Sequence, residues 1–175
     1  MWTALGRGEL LDIAAHHEDH DIDWFGENAT RPQPTWQKLI WLLLAFKGCE
    51  PSAEATLAYQ KGHLGRSGDE SALIEISSLP AKHGVVIPRE LFRKEREMLI
   101  AKRMRQHEPR FLVFYSPAPT YQKSWVAIAG VSLTRDVPVV VGRTVCLMTY
   151  HPNGERSKAY WAEHGRRLRT LIGAD

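Results

Sequence analysis

The amino-acid sequence predicts an α/β fold: a three-layer αβα sandwich around a short, mainly parallel four-stranded sheet. One observation behind this prediction is the alternation of strand and helix patterns along the second half of the chain. Another is the unbroken apolar run Phe111–Tyr115, which is typical of a parallel strand covered on both faces. With 175 residues, the chain is also long enough to bury the core of a single domain over residues 1–175.

Apolar runs bounded by turn residues predict the strands, and the crossovers between them are expected to be right-handed. The predicted strands are Leu73–Ser78, Phe111–Tyr115, Val137–Val141 and Val145–Thr149. The beginning of the chain permits two interpretations. Either Leu10–Ala14 is a first strand that ends in an acidic, His-rich loop, or Trp2–His17 is a helix.

Capping residues and apolar periodicity predict five helices. Thr35 caps the first, which runs through Lys47 and is apolar on nearly all sides, as expected of a helix packed under other layers. Four more helices are predicted: one that begins at Ser52 and stops by Gly62, one over residues 89–107, one from Pro119 or Thr120 to Gly130, and one over Ser157–Ile172. The apolar side of the helix over residues 89–107 is predicted to consist of Leu91, Phe92, Met98, Leu99, Ile100 and Met104.

The composition excludes several classes of protein. No apolar run reaches the roughly 18 residues of a membrane span, and the N-terminus lacks the basic-then-apolar order of a signal peptide. We therefore expect a cytoplasmic protein without a membrane partner. Two cysteines alone, Cys49 and Cys146, exclude a Cys-rich metal or cluster site, and both are predicted to be buried thiols.

Charge is unevenly distributed, although the formal net charge is only +3. Between Glu9 and Glu27 there are seven acidic residues and no lysine or arginine. Basic residues concentrate instead in the helix over residues 89–107 and in the last helix. Two basic helices are compatible with a phosphate-bearing partner, while the alternative is that most of these side chains form solvated helix faces.

The most informative segment is Tyr150-His151-Pro152, which follows the strand Val145–Thr149 and precedes the last helix. In an open α/β sheet, ligands bind beyond the carboxyl ends of the strands. A histidine at that edge can donate a hydrogen bond or a proton to a substrate oxygen. The alternative is a loop histidine that bonds a backbone carbonyl.

Several motifs occur in one order along the chain. They are Trp36 and Leu39 in an early helix, the corner Ser78-Leu79-Pro80, the basic helix, Trp125 and Gly130 in a later helix, and His151-Pro152 before an Arg-rich helix. In this order the chain resembles the uracil-DNA glycosylase superfamily from roughly Thr35 to Arg169, and residues 1–34 form the divergent part. It departs from the family pattern at Glu75, where the base-contacting asparagine is expected, and in the loop around Asp19.

The resemblance implies a hydrolase in base excision repair that cleaves the N-glycosidic bond of a flipped, damaged or deaminated base in DNA. His151 is expected to donate to the departing base, and Asp19 to position the water. The expected base-binding residues are Glu75, Trp24, Phe25 and Asn153, and the expected contacts to DNA phosphates are Arg156 and Lys158. The resemblance implies a monomer that needs no cofactor and no metal, with DNA as its partner.

Other interpretations of these residues remain open. The acidic loop around Asp19 can be simply solvated, Trp24 and Phe25 can be core anchors, and Glu75 can be an unreactive residue at a strand end. One alternative function is a catalytically inactive relative that binds nucleic acid or a nucleotide. A second is a metal-dependent hydrolase, because the helical spacing of one cluster, together with His151, suits zinc or manganese. That cluster is His16, His17, Asp19 and His20.

Overall fold

The computed structural model describes residues 29–66, 68–74, 76, 89–115 and 121–173. These residues form five helices and a three-stranded mixed sheet. In chain order the elements are α1 (Pro34–Phe46), α2 (Ala53–Gly62), α3 (Arg89–His107), β1 (Phe111–Tyr115), α4 (Gln122–Ala129), β2 (Val139–Val141), β3 (Thr144–Thr149) and α5 (Lys158–Ile172). Contacts between Cα atoms divide the chain into two compact units, and the prediction of a single domain over residues 1–175 stays a prediction.

The sheet belongs to the first unit, whose described residues are 74, 76, 89–114 and 121–148. The strand order is β1-β3-β2, with β3 in the middle. β2 and β3 are antiparallel, and Val139 pairs with Cys146 and Val141 with Thr144. Only Gly142 and Arg143 separate the two strands, and so short a connection can join only antiparallel strands. The backbone of Gly142 has a φ of 60°, which glycine adopts without strain.

The sheet differs from the predicted one. Three strands occur among the described residues instead of four, and one of the two pairings is antiparallel. Leu73, Ile74 and Ile76 are outside any strand, although the strand Leu73–Ser78 was expected there. Leu73 packs in one apolar cluster while Ile74 and Ile76 pack in the other, so this segment does not present one face to one core. The possible strand or helix before residue 29 and the corner Ser78-Leu79-Pro80 lie outside the described residues.

α3 covers the core of the first unit with a narrow apolar stripe. Ile100, Ala101 and Met104 are buried, and they follow the i, i+1, i+4 spacing of one helix face. Met98 was predicted to lie on that face, but it is 73% exposed because it is about 120° around the helix from the stripe. Leu91 and Phe92 lie outside the described side chains. The rest of this core comes from β1, α4 and β3: Phe114, Ile128, Ala129, Leu133, Cys146 and Met148.

One of the two cysteines is placed as predicted. Cys146 is fully buried in β3, and burial raises the pKa of its thiol to about 11. Cys49, in contrast, is exposed, because α1 ends at Phe46 and the chain turns away through Lys47 and Gly48. The prediction of a buried Cys49 is therefore wrong. None of the helices formed by the described residues is long and apolar enough to cross a membrane.

The second unit, whose described residues are 29–66, 68–73, 115 and 149–173, is built on α1 packed between α2 and α5. α1 is capped by Gln33 and not by the predicted Thr35, because Pro34 occupies the first helical position and the Gln33 side chain accepts from the Trp36 backbone N–H. Ser52 and Ser157, where two helices were predicted to begin, are the N-caps of α2 and α5. The Thr35 hydroxyl has a different partner, described below.

α1 and α5 run side by side in the same direction. Lys38 lies beside Gly154, just before α5 begins; Leu42 lies beside Gly165 in the middle of α5; and Gly48 lies beside Arg169 near its end. At the crossing the two backbones almost touch. A Cβ atom on Gly165 would lie 2.2 Å from the Leu42 carbonyl oxygen and 3.0 Å from the Ala45 Cβ. Only glycine fits there without a shift of one helix.

A polar network fixes the loop after α2 to the end of α1. Glu70 accepts from the Lys47 ammonium at 2.5 Å and from the Tyr59 hydroxyl at 3.0 Å. Asp69 accepts from its neighbour's backbone N–H at 2.6 Å and contacts His63 Nδ1 at 2.9 Å. These hydrogen bonds lower the pKa of both carboxyls. The main cause is the hydrogen bond from Lys47 for Glu70, and the hydrogen bond from the backbone N–H of Glu70 for Asp69.

Gly165→Ala is expected to lower the free energy of unfolding by about 1–3 kcal/mol, because the added methyl group must push apart α1 and α5. The intrinsic preference of alanine for helices opposes this loss by at most about 1 kcal/mol. Urea denaturation measures the difference. Gly62→Ala is the matched control, because nothing lies within 4 Å of its Cβ position, and it should leave stability unchanged or slightly raised. Equal effects of the two substitutions would contradict the close crossing.

Stability is expected to fall as the pH drops below about 4.5, in part through Glu70 and Asp69. The pKa values of these two carboxyls are lower in the folded chain than in the unfolded chain. The carboxylates therefore stabilise the folded state at a pH above their unfolded-state pKa, and this stabilisation is lost as the pH falls through their folded-state pKa. Glu70→Gln should cost no more than about 1 kcal/mol at pH 6, since the carboxylate is 44% exposed, and should flatten the acid loss. Urea midpoints between pH 3 and 6 test this, with exposed Glu50→Gln as the control. An unchanged acid profile would contradict it.

Candidate functional site

The candidate site is the loop of residues 150–156 between β3 and α5, which belongs to the second unit. Thr149 ends β3, and its hydroxyl hydrogen-bonds the Tyr160 hydroxyl at 2.6 Å, which ties the end of the strand to the first turn of α5. Pro152 is fully buried, and its packing holds the loop in place. As predicted, His151 therefore follows the end of a strand, in a loop that the surrounding residues hold in place.

A tight turn orients His151. Its carbonyl oxygen accepts from the Gly154 N–H at 2.9 Å, and its Nδ1 atom accepts from the Asn153 N–H at 3.2 Å. The ring is half-buried, and desolvation lowers the pKa of the imidazole, which favours the neutral form. A neutral imidazole that accepts at Nδ1 carries its proton on Nε2. His151 is thus a neutral donor with a fixed donor atom.

Tyr115, the last residue of β1, lies beside this imidazole. The two ring centroids are 5.6 Å apart and the rings meet edge to face at 72°. Tyr115 was not among the predicted site residues. Its signal was its position, because it ends an apolar run just where ligand contacts are expected in an open sheet.

The start of α1 fastens the other end of the loop. The Thr35 hydroxyl donates to the Asn153 side-chain oxygen at 2.9 Å, and the Lys38 ammonium donates to the Gly154 carbonyl at 2.7 Å. Asn153, predicted to bind the base, therefore has its side-chain oxygen occupied. Its amide NH₂ group is what it can offer to a ligand.

The two predicted phosphate contacts differ in their surroundings. Arg156 is exposed, and its guanidinium lies over the Tyr150 ring at 4.3 Å and near the Tyr160 ring at 5.5 Å. Lys158 opens α5, and its ammonium lies 5.3 Å from the centre of the Trp41 ring in α1. Both cations therefore lie on the same loop-and-helix segment as His151. Lys38, which sequence reasoning did not single out, joins them through its bond to Gly154.

The other predicted site residues lie outside the described residues. They are Asp19, Glu75, Trp24 and Phe25, together with His16, His17 and His20 of the possible metal cluster. The predicted convergence of Asp19 and His151 on one crevice stays a prediction. Within the described part of the chain there is no group of three or more histidine, cysteine or carboxylate side chains that could hold a metal ion.

Comparison with known proteins adds no assignment. No family model, no curated protein and no solved structure matches this chain.

At pH 7 the His151 side chain is expected to be neutral with its proton on Nε2, and its titration midpoint should lie below the ordinary value of about 6.5. Long-range ¹H–¹⁵N correlation spectra of the imidazole rings distinguish the two tautomers and give the midpoint. A proton on Nδ1, or a midpoint above 6.5, would contradict the geometry described for the turn.

Proposed function

We propose that this chain is a uracil-DNA glycosylase-like protein that hydrolyses the N-glycosidic bond of a flipped, damaged or deaminated base in DNA. The proposal includes the finer fold of that superfamily, an αβα sandwich whose mainly parallel sheet gains a fourth strand, and a monomer located in the cytoplasm. The observation that carries it is the neutral His151, held by a hydrogen bond at Nδ1 so that Nε2–H is its donor.

Cleavage of the glycosidic bond places negative charge on the base. The bond between the sugar C1′ and the base nitrogen breaks, and its electron pair leaves with the base. A water oxygen bonds to C1′, and the proton that the water gives up ends on the base anion, so that the products are a sugar hydroxyl and the free base. A donor aimed at the base oxygen where this charge develops stabilises the transition state, and such a donor typically contributes about 10²–10³ in rate. A neutral imidazole keeps its donated proton and needs no reorganisation when the charge appears.

The neighbours of His151 support contact with a base. Tyr115 offers an aromatic ring beside the imidazole, which suits the stacking role that the sequence analysis gave to Trp24 and Phe25. The Asn153 amide NH₂ is a second donor on the same turn, and the Thr35 hydroxyl fixes its orientation. Asp19 remains the residue expected to position the water.

Arg156 and Lys158 support a nucleic-acid partner. The aromatic rings of Tyr150 and Tyr160 restrict the Arg156 guanidinium, so less side-chain entropy is lost when it meets a phosphate. Lys158 sits at the start of α5, where the helix dipole disfavours a cation but favours an anionic ligand.

The proposal predicts release of free base from single-stranded DNA containing uracil, hypoxanthine or xanthine. His151→Ala should lower kcat by about 10²–10³ with little change in KM, because its hydrogen bond strengthens mainly in the transition state. Chromatography of the released base measures the rate. His107→Ala, which removes an exposed histidine at the end of α3, is the control and should keep full activity.

Two results would contradict the proposal. Release of no base from any of the three substrates by the wild-type protein would overturn hydrolysis, and binding of uracil-containing DNA without release would then favour the inactive, binding-only alternative. Full activity of His151→Ala would show that His151 takes no part in the reaction.

A further inference from the structure

β2 is an edge strand of the sheet. In the order β1-β3-β2 it is bonded to β3 on one side, and no other strand formed by the described residues lies on its other side. Val140, in the middle of β2, is opposite Val145 of β3. Val145 donates its N–H to the Arg110 carbonyl at 3.0 Å, on the side of β3 where β1 lies. The N–H group of Val145 therefore points away from β2.

This register fixes where the backbone groups of Val140 point. In an antiparallel pair, two opposite residues either exchange two hydrogen bonds or exchange none. Because Val145 donates toward β1, Val140 and Val145 exchange none, and the N–H and C=O of Val140 point outward from the edge of the sheet. Val140 has no hydrogen bond to any residue in the described part of the chain. One donor and one acceptor are thus available on the same residue.

The side chain of Val140 also favours pairing with another strand. Side chains alternate between the two faces of a strand, and Val139 and Val141 pack against the core of the first unit, whereas Val140 is 65% exposed. Edge strands that stay unpaired usually carry charged residues, prolines or bulges. In β2 the outward residue is apolar and β-branched, and the one proline, Pro138, comes just before the strand.

The two ends of β2 carry charges of opposite sign. Arg143, in the turn after β2, is 84% exposed, and its guanidinium lies 3.8 Å from Glu108, too far for a hydrogen bond. Asp136 lies before β2, where its N–H donates to the Met148 carbonyl at 2.8 Å. If two β2 strands run antiparallel with Val140 opposite itself, the arginine end of each copy meets the aspartate end of the other. Charge complementarity therefore favours a second copy as the occupant of this edge.

We propose that β2 pairs antiparallel with β2 of a second copy of this chain, about a two-fold axis beside Val140. The two Val140 residues exchange N–H···O bonds, their side chains pack against each other, and Arg143 of each copy meets Asp136 of the other. The axis closes the assembly at two copies, because each β2 edge is used once. The monomer of the proposed function is the species that this reversible pairing joins, and the pairing uses no residue of the His151 loop.

Molecular mass measured against protein concentration tests the pairing. Three residues of edge cannot bury the roughly 1,200 Å² of a stable interface, so half of the chains should be paired only at a concentration between about 10 µM and 1 mM. Sedimentation equilibrium of the full chain should show the average mass rising from that of one chain toward that of two. The mass of a single chain at every concentration up to about 1 mM would overturn the proposal, and would leave the edge to an extended segment of a different protein.

Substitutions at Val140 test the position of the two-fold axis. Val140→Lys and Val140→Glu each place like charges opposite each other across the axis, so each variant alone should stay a single chain. An equal mixture of the two variants should pair, because opposite charges then face each other. Val140→Thr, which keeps the branched side chain and the backbone groups, is the matched control and should pair like the wild type. Pairing of Val140→Lys alone, or a mixture that does not pair, would overturn an axis beside Val140.

A charge reversal tests the ends of the strand. Arg143→Glu turns two attractive contacts into repulsive ones and should weaken the pairing by about tenfold. Lys94→Glu makes the same change in net charge at an exposed position of α3 and should leave the pairing unchanged. Equal effects of the two substitutions would assign the change to net charge, and would overturn the contact between Arg143 and Asp136.

Hydrogen exchange tests the same contact without any substitution, so it decides even if a variant fails to fold. In the wild-type protein the amide of Val140 should exchange more slowly as the protein concentration rises, because its N–H becomes bonded in the pair. Amides of α2, in the second unit, should not change. A Val140 exchange rate that stays constant, in solutions whose mass shows pairing, would place the contact elsewhere and overturn the pairing through β2.

Discussion

The close crossing of α1 and α5 at Gly165 is the contact on which the candidate site depends. With no side chain at that position, the two backbones approach until a Cβ atom would overlap the Leu42 carbonyl. The helices run in the same direction, so this one contact sets how the start of α1 faces the start of α5. Parallel helices in contact repel each other weakly through their dipoles, and burial of apolar side chains such as Leu39, Leu42 and Leu168 outweighs that repulsion.

This geometry explains why the His151 loop is well defined although most of its residues are exposed. Its position comes from α1 through Thr35 and Lys38, from α5 through Tyr160, and from the buried Pro152. Side chains that must act at a set distance from a ligand benefit from such support, because less entropy is lost when the ligand arrives. The tautomer of His151 follows from the same turn, and the loop therefore provides both the position of the donor and its protonation state.

Local signals in the sequence were sufficient to predict where most of the helices lie. α2 and α5 begin next to Ser52 and Ser157, where their starts were predicted, and Gly130 ends α4. The first helix begins two residues earlier than predicted, with Gln33 instead of Thr35 as its cap, because proline is favoured at the first helical position and Pro34 occupies it. The exposed Met98 shows the limit of counting apolar residues without measuring their angle around the helix.

Features that depend on pairs of distant residues could not be predicted in this way. The position of His151 after a strand was visible in the sequence, but Tyr115 and Lys38 join it through contacts between residues 36 and 116 positions apart. The pairing of β2 with β3, in contrast, carried a local signal: a connection of two residues can join only antiparallel strands, whereas the apolar pattern of the two strands suits either direction.

The unlike environments of the two thiols give this protein a natural attachment point for a reporter group. Reagents that modify thiolates will react at Cys49 and spare Cys146, whose sulfur is enclosed in β3. Cys49 follows the far end of α1, roughly 20 Å along the helix from the loop at its start, given a rise of about 1.5 Å per residue. A fluorophore there would report the arrival of a ligand from a distance at which it does not obstruct binding.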